Sequence, residues 1–559
     1  MSERSLRERF SLPLSEIQIL WVFTLFVLII TTFYPFALLV FKSITGVRSE
    51  EVLKAVLTDR ETYVYTFNTI KLAVFVTVLA IILGVPSAFL VSRTDIYSRK
   101  ILKFLIVLSF TLPPYVSAIA WIQLAAPYSG YLNRFFHLFG FPADFINIYS
   151  FWGIVLVMAI KYYIYVFLTT SASLEQIDPS LEEAARMSGA SPFKASLLTL
   201  KLVIPSIASG ALLVFIATCA NFGIPALIGE RANFYVLTTK IYSALSIPDL
   251  DRAVILSLFL IVITAVVLLI QKKVSHGKHY TTVTGKASRP SLLKLGKVKI
   301  AVSLLLYIVL FITTVVPISS LFFSALLKTP VAPLTSVDSY TLSNFLFVIF
   351  KDPSTTEAIK TSFFSSALAA SVITVFGALI AYIVVKTDIK GRTIIDFLSS
   401  IPYILPGTVV GVAIIVAFIK FPFFETLWIL PFAYFIRYLS YGVRTVTGSL
   451  LQIDKTLEEA SFMSGASWVQ TFKNIIYPLL KSGLLAAWIL VFIPALSELT
   501  VSIIIYPPQH PTIGVATYNL MEEGSYSFAY ALSALVTLIV VVSYGIVTRI
   551  TGKFAGRRI

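Results

Sequence analysis

The chain has 559 residues, of which 57% are hydrophobic and 13% charged, and its formal charge is +16. Soluble domains carry roughly 25% charged residues, so these proportions exclude an ordinary water-soluble globular protein. The basic residues flank apolar runs instead of forming a basic face interleaved with base-stacking aromatics, which argues against nucleic acid as a partner.

Apolar runs of about 20 residues can cross a bilayer core as helices. Twelve are predicted. The first six lie near Ile19–Phe41, Ile70–Val91, Ile101–Leu124, Phe151–Thr170, Ile204–Pro225 and Val254–Gln271. The second six lie near Ile300–Phe322, Phe363–Val385, Ile394–Ile419, Leu427–Val446, Leu484–Ile505 and Tyr530–Ile550. The first run is too long for a signal-peptide core and shows no clear small-residue cleavage site, so it reads as a retained span. Cys219 is the lone cysteine, and no disulfide framework is possible.

The segment between the sixth and seventh spans is basic, with eight Lys or Arg and no acid over Lys272–Lys299. It divides the chain into a half at 1–271, a linker at 272–298 and a half at 299–559. Basic termini and this linker fall on one side if each half has six spans, and the positive-inside rule makes that side cytoplasmic. Arg48–Tyr63 fits this less well, being assigned outside yet carrying Arg48, Lys54 and Arg60.

The halves repeat each other. Leu174–Ser191 reads LEQIDPSLEEAARMSGAS and Leu450–Ser467 reads LLQIDKTLEEASFMSGAS, with thirteen of eighteen positions identical at an offset of 276 residues. Thr94-Asp95-Ile96 matches Thr387-Asp388-Ile389, Leu112-Pro113 matches Leu405-Pro406, and Lys161-Tyr162 matches Arg437-Tyr438. Two six-span repeats of equal orientation are related by an axis along the membrane normal.

The repeated loop has a local logic. Asp178 and Asp454 can cap a helix N-terminus. Pro179 suits a first helical position. Glu182, Glu183, Glu458 and Glu459 fall where the helix dipole favours negative charge. Gly189 and Gly465 permit a turn with positive φ, and Ser191 and Ser467 can cap a second short helix. A helix–turn–helix with a small-residue corner is expected near 174–200 and again near 450–478. Capping alone does not require exposed Met187 and Met463 to be duplicated. A docking surface for two copies of one partner does.

Glu183-Ala184-Ala185-x3-Gly189 resembles the EAA loop of ABC importer membrane subunits. The second copy, Glu459-Ala460 through Gly465 with Tyr477-Pro478 downstream, follows the pattern but has Ser461 for the second Ala. The first copy has Lys201-Leu202 where Leu-Pro is expected, and its Pro205 comes about three residues late. The resemblance covers the whole chain, each half looking like one type I permease. It implies an all-α, MetI-like fold of about twelve spans in two parallel repeats. It also implies coupling residues Glu183, Ala184, Ala185, Gly189, Ala190 and Ser191, and Glu459, Ala460, Gly465, Ala466 and Ser467. Two cytoplasmic ATPase subunits, which bind ATP and Mg, and an extracytoplasmic solute-binding protein are the implied partners. One permease chain per complex, in a bacterial or archaeal cell membrane, follows from the fusion. Fused halves with Asn221-Phe222-Gly223-Ile224-Pro225, Leu237-Thr238-Thr239-Lys240-Ile241-Tyr242 and Ser497-Glu498-Leu499-Thr500-Val501-Ser502 look most like bacterial ferric-iron permeases. Fused thiamine and aminophosphonate permeases look similar.

Ionisable groups deep in a membrane are costly and face the bundle interior. Lys161 and Arg437 are such groups in equivalent spans, and Glu498 is a third, with Asn221 as counterpart after a one-residue shift. With Tyr162 and Tyr438 they are candidates for a pathway or gate. The alternative is internal pairing, for example of Glu498 with Arg437, that fixes helix packing. Pro113, Pro114, Pro402 and Pro406 break helical hydrogen bonding in equivalent spans, as shape or as hinge. Ferric iron prefers hard oxygen ligands; the 27 Tyr also belong at membrane interfaces, and four His, five Met and one Cys give no dense ligand ladder, so no tight metal site is expected.

The chain lacks a phosphate-cradling loop. Thr284-Gly285-Lys286-Ala287 is the nearest fragment and misses the first Gly and the final hydroxyl. No catalytic Ser/His/Asp set emerges among His137, His276, His279 and His510. The chain is expected to be no enzyme by itself, with energy supplied by a partner. A carrier of two parallel repeats driven by an ion gradient has the same span count, but needs no pair of matched docking loops.

Overall fold

The computed structural model describes residues 14–45, 49–177, 179–275, 292–332 and 336–555. The basic N-terminus, Asp178, His276, His279, the Thr284–Ala287 fragment and the last four residues lie outside the described residues. β-Type pairing among the described residues is confined to two isolated bridges, Thr94 with Leu293 and Leu327 with Tyr340.

In chain order the principal helices of the first half are α1 (Gln18–Thr45), α2 (Arg60–Arg93), α3 (Arg99–Thr111), α4 (Pro114–Ala125) and α5 (Phe151–Gln176). They continue as α6 (Pro179–Met187), α7 (Pro192–Leu202), α8 (Ile204–Cys219), α9 (Leu237–Ser246) and α10 (Leu250–Ser275). The second half runs α11 (Gly296–Ala325), α12 (Pro353–Lys386), α13 (Arg392–Ile404), α14 (Gly407–Phe418) and α15 (Ile429–Leu450). It ends with α16 (Lys455–Met463), α17 (Trp468–Leu496), α18 (Ile513–Glu522) and α19 (Tyr526–Ala555).

Eight described helices are long and apolar enough to cross a membrane, or ten if each of two bent pairs is one span. The fifth and tenth predicted runs are the two that this length and hydropathy criterion leaves out among the described residues. Helix α8 has 16 residues, about 24 Å of rise against a core of about 30 Å. Beyond it comes a separate π turn at Pro225–Gly229. Helix α15 has 22 residues, but Arg437 and Arg444 dilute its apolar content.

The bent pairs are the third and ninth runs. α3 meets α4 at 100°, and α13 meets α14 at 108°. A residue before proline is pushed out of the helical region into extended backbone. Leu112, before Pro113, has ψ 137°, and Leu405, before Pro406, has ψ 135°. The chain therefore turns at the same motif in both halves.

Another proline effect is duplicated. Thr31-Thr32 precedes Pro35 in α1, and Thr313-Thr314 precedes Pro317 in α11. Each helix widens to a π turn just before its proline, at Ile29–Phe33 and Phe311–Val315. The ring removes one N–H and crowds the preceding turn, and a π turn absorbs that conflict without breaking the helix.

The chain forms two compact units. One contains residues 52–351 and 517–538. The other contains residues 1–51, 352–516 and 539–559. Each unit thus includes the first span of the opposite sequence half. In the unit built on 52–351, helices α2, α5 and α8 pack together. A Cβ on Gly84 of α2 would come within 2.8 Å of Val166 Cβ, and one on Gly210 of α8 within 2.9 Å of Val166 Cα. Small residues allow this close approach between membrane helices. In the other unit α12, α15 and α17 make the equivalent three-helix core, with Gly377 of α12 against Gly442 of α15.

Candidate functional site

The two repeated loops are helix–turn–helix elements. The first pairs α6 with α7, and the second pairs α16 with the start of α17. Gly189 has φ +88° and Gly465 φ +83°. An added Cβ would meet nothing within 4 Å at either place, so backbone angle, not crowding, selects glycine. The helix ends there in a Schellman arrangement. Ala190 N–H donates to Ala185 O at 3.0 Å, and Ala466 N–H to Ser461 O at 3.2 Å.

The caps follow the same plan. Asp454 Oδ1 accepts from Thr456 N–H at 3.0 Å. Ser191 Oγ accepts from Lys194 N–H, and Ser467 Oγ from Gln470 N–H, both at 3.3 Å. Gln470 Oε1 in return accepts from Ser467 N–H at 2.8 Å, which completes a capping box. Ser461, the departure from the Ala pattern, hydrogen-bonds Thr471 Oγ1 at 2.9 Å. The corresponding positions in the first loop are Ala185 and Ala195, so a polar pair replaces an apolar one.

One face of each element is exposed. Met187 is 90% exposed and Met463 74%, and Leu181 and Leu457 are also exposed. Glu183, Ala184, Gly189 and Ser191 lie on the exposed side, as do Glu459, Ala460, Gly465 and Ser467, while Ala185, Ala190 and Ala466 are half-buried. The same apolar side chains are thus exposed beside the same carboxylate in both elements.

The opposite face is anchored. Glu182 is buried and lies 3.7 Å from Arg93 Nη1. Arg93 Nη2 also donates to Ile177 O at 3.2 Å. In the second loop Lys386 Nζ pairs with Glu458 Oε1 and donates to Ile453 O at 3.2 Å. Trp468 Nε1 adds a bond to Tyr382 Oη at 2.7 Å. Ile453 enters a buried apolar cluster with Ala381, Val446, Leu450, Ile476 and Leu480.

The intramembrane cations serve the bent helices. A helix C-terminus leaves carbonyls without intrahelical partners, and a cation there is favoured by the dipole. Lys161 Nζ donates to Phe110 O and Leu112 O at the end of α3, and sits 4.8 Å from the Phe110 ring centroid. Arg437 Nη1 donates to Leu405 O at 2.5 Å, at the end of α13. The anticipated pairing of Arg437 with Glu498 does not form among the described residues. The pre-proline break presents Arg437 with a bare carbonyl instead.

Glu498 takes other partners. Tyr438 donates to Glu498 Oε2 at 2.7 Å, and Val501 N–H donates to Oε1 at 2.7 Å. In the other unit Asn221 Nδ2 donates to Tyr162 Oη at 2.7 Å, and Ile224 N–H donates to Asn221 Oδ1 at 3.0 Å. The one-residue shift between Asn221 and Glu498 is thus matched in three dimensions. Each caps the following turn and meets a tyrosine, of α5 or of α15. All four side chains are buried.

A family model described as the binding-protein-dependent transport system inner membrane component matches residues 77–279 and again 373–558. The chain belongs to this family. The MetI-like importer permease fold is therefore present twice in one polypeptide, and the protein is the membrane permease component of an ABC importer of the binding-protein-dependent type. Such a component is not an enzyme by itself. The permease is similar to the ferric transport system permease protein FbpB of Actinobacillus pleuropneumoniae, 29% identical over 84% of this chain and 69% of that protein. It is also similar to the putative ferric transport system permease protein FbpB 1 of Haemophilus influenzae, 30% identical over 78% of this chain and 69% of that one. A probable sulfate transport system permease protein, cysT of Anthoceros angustus, matches 36% of this chain and 74% of its own length at 27% identity.

Arg93 and Lys386 escaped the sequence reading. The available signal was their position, since each immediately precedes a matched Thr-Asp-Ile phrase. Both are basic at the end of a long span, which reads at first sight as ordinary interfacial charge. Among the described residues no group of three or more His, Cys, Asp or Glu is placed to hold a metal.

Proposed function

We propose that this permease imports ferric iron delivered by an extracytoplasmic solute-binding protein, with two cytoplasmic ATPase subunits docked on α6–α7 and on α16–α17. The observation that carries the reading is the duplicated coupling element with identical exposed residues, Glu183 with Glu459 and Met187 with Met463, on two similarly anchored supports. ATP and Mg belong to the ATPase subunits. The chain supplies the path and the levers, with both termini on the cytoplasmic side of a bacterial or archaeal cell membrane and one permease chain per complex.

The cycle follows from differential contact energy. ATP-driven closure of the ATPase pair moves both coupling elements and opens the path outward to accept substrate, and hydrolysis resets it inward. Lys161, Tyr162 and Asn221, with Arg437, Tyr438 and Glu498, border the path or lock its closed state. The choice of iron rests on the names of the relatives, and selection lies with the binding protein.

The test is reconstitution. The permease co-expressed with its neighbouring ATPase should copurify with two ATPase subunits. In proteoliposomes it should import radioactive ferric iron when the cognate binding protein is loaded with it. Binding protein that takes up thiamine or 2-aminoethylphosphonate instead of ferric iron would overturn the substrate. Permease that holds no ATPase and responds only to an imposed ion gradient would overturn the class.

A further inference from the structure

The Glu-Glu pair of each coupling loop is split between two duties. Glu183 and Glu459 are exposed. Glu182 and Glu458 turn inward to a basic residue from the last turn of another helix, Arg93 of α2 or Lys386 of α12. Arg93 is 1% exposed at its side chain and Lys386 3%. Burying a cation is expensive unless it is paired and hydrogen-bonded; Lys386 is both, while Arg93 is ion-paired at 3.7 Å and hydrogen-bonded through Nη2, its Nε and Nη1 making no hydrogen bond among the described residues. Each also donates to the carbonyl of the isoleucine that leads into the coupling helix, Ile177 or Ile453.

The arrangement occurs once per unit, in separate surroundings. The base differs, guanidinium in one and ammonium in the other, while the two contacts are kept. Packing alone does not demand that a long cation end up on the same two groups twice.

The α2 end is tied further. Leu293 N–H donates to the Arg93 carbonyl at 2.8 Å, and Asp95 N–H donates to Leu293 O at 3.2 Å. Leu295 N–H donates to Asp95 Oδ1 at 3.0 Å, and Lys299 Nζ lies 3.2 Å from Asp95 Oδ2. A displacement of α6 is thereby shared with the end of α2 and the start of α11.

We infer that Arg93 and Lys386 are positioning residues that bind each coupling helix to the end of α2 or α12, so that movement of the docking element becomes movement of a transmembrane helix. This rests on the proposed docking of ATPase subunits. It adds that the force path runs through Glu182 and Glu458, not only through the continuous chain of the loop.

The experiment compares wild-type complex with R93Q, K386Q and the charge-exchanged pair K386E/E458K in proteoliposomes with ATPase subunits and iron-loaded binding protein. K386Q and R93Q should retain both ATPase subunits, and ATP hydrolysed per iron imported should rise at least about five-fold. K386E/E458K should return that ratio to within about two-fold of wild type. Spin labels at Lys455→Cys and Lys390→Cys, both exposed, should report a broadened distance in K386Q that narrows again in the exchanged pair. Unchanged ratios in both glutamine variants, or an exchanged pair no better than K386Q, would overturn the inference. If R93Q fails to insert, K386Q decides alone, since both tethers are assigned the same work. Wild-type permease without bound ATPase would defeat the function reading instead.

Discussion

Tyr438 donates its phenolic hydrogen to Glu498 at 2.7 Å, across 60 residues of sequence. Its counterpart Tyr162 accepts from Asn221 at the same distance. The geometry is shared but the charge is not, since one half carries a carboxylate where the other has a neutral amide. A buried acceptor of two hydrogen bonds cannot be deleted without leaving donors unmet, at about 1–3 kcal/mol.

Glu498→Ala should therefore slow import by ten-fold or so (about 1.4 kcal/mol) while leaving the ATPase subunits bound. Glu498→Gln keeps an acceptor for Val501 N–H and should fall between. Initial uptake rates and copurification measure the two effects separately. Wild-type rates in Glu498→Ala would leave this residue as a turn cap only.

The coupling corner gives a second prediction. Gly465 sits at φ +83° with open space around it. Alanine there meets no clash but carries the left-handed penalty of about 1–2 kcal/mol, so Gly465→Ala should weaken the complex mildly. Gly465→Trp adds a ring on the exposed face and should insert normally yet abolish binding-protein-stimulated ATP hydrolysis. Full stimulation with Trp would remove this corner from the docking surface.

The contrast between these sites and the tether shows what a single sequence discloses. The capped coupling loop and the Leu-Pro breaks were legible because both follow from rules spanning fewer than about ten residues: caps, positive φ and pre-proline sterics. Arg93 meets Ile177 across 84 residues and Lys386 meets Glu458 across 72, and nothing local forecasts which base turns inward. Hydropathy located the apolar runs but not the helix ends, because an apolar run does not reveal that α8 stops after 16 residues. The partner of Arg437 is out of reach of the sequence for a related reason. Opposite charge suggested Glu498, but the broken helix offers a nearer acceptor that no side-chain inventory contains. Grouping of α1 with residues 352–516 is a matter of topology, invisible to periodicity.

Asp95 supports a third prediction. Leu295 N–H, and then Lys299, hold its carboxyl below the ordinary carboxylate range. A depressed carboxylate contributes above its unfolded value and loses that contribution as pH falls through the folded one. At neutral pH the contribution is complete, so removing the charge should mimic strong acid. Asp95→Asn should speed trypsin cleavage after Lys294 and Lys297 in detergent-solubilised protein without preventing insertion. Cleavage at the wild-type rate would mean that the backbone pairing with Leu293 holds this segment unaided.

The last prediction concerns the cations at the bent helices. Lys161 and Arg437 do the same task with different head groups, each satisfying carbonyls stranded where α3 or α13 meets its proline break. Removing the cation leaves those carbonyls bare in apolar surroundings, at about 1–3 kcal/mol per group. Lys161→Met and Arg437→Met should each lower thermal stability in detergent, and Lys161→Met more, because Lys161 serves two carbonyls. Arg437→Lys should be tolerated, since a lysine already fills the equivalent place in the other half. Lys161→Arg should be tolerated less, because the larger guanidinium must enter a site shaped for an ammonium against the Phe110 ring. Thermal unfolding followed by size-exclusion chromatography ranks the four variants. Equal stability of both methionine variants with wild type would show that water, not these side chains, satisfies the broken helices.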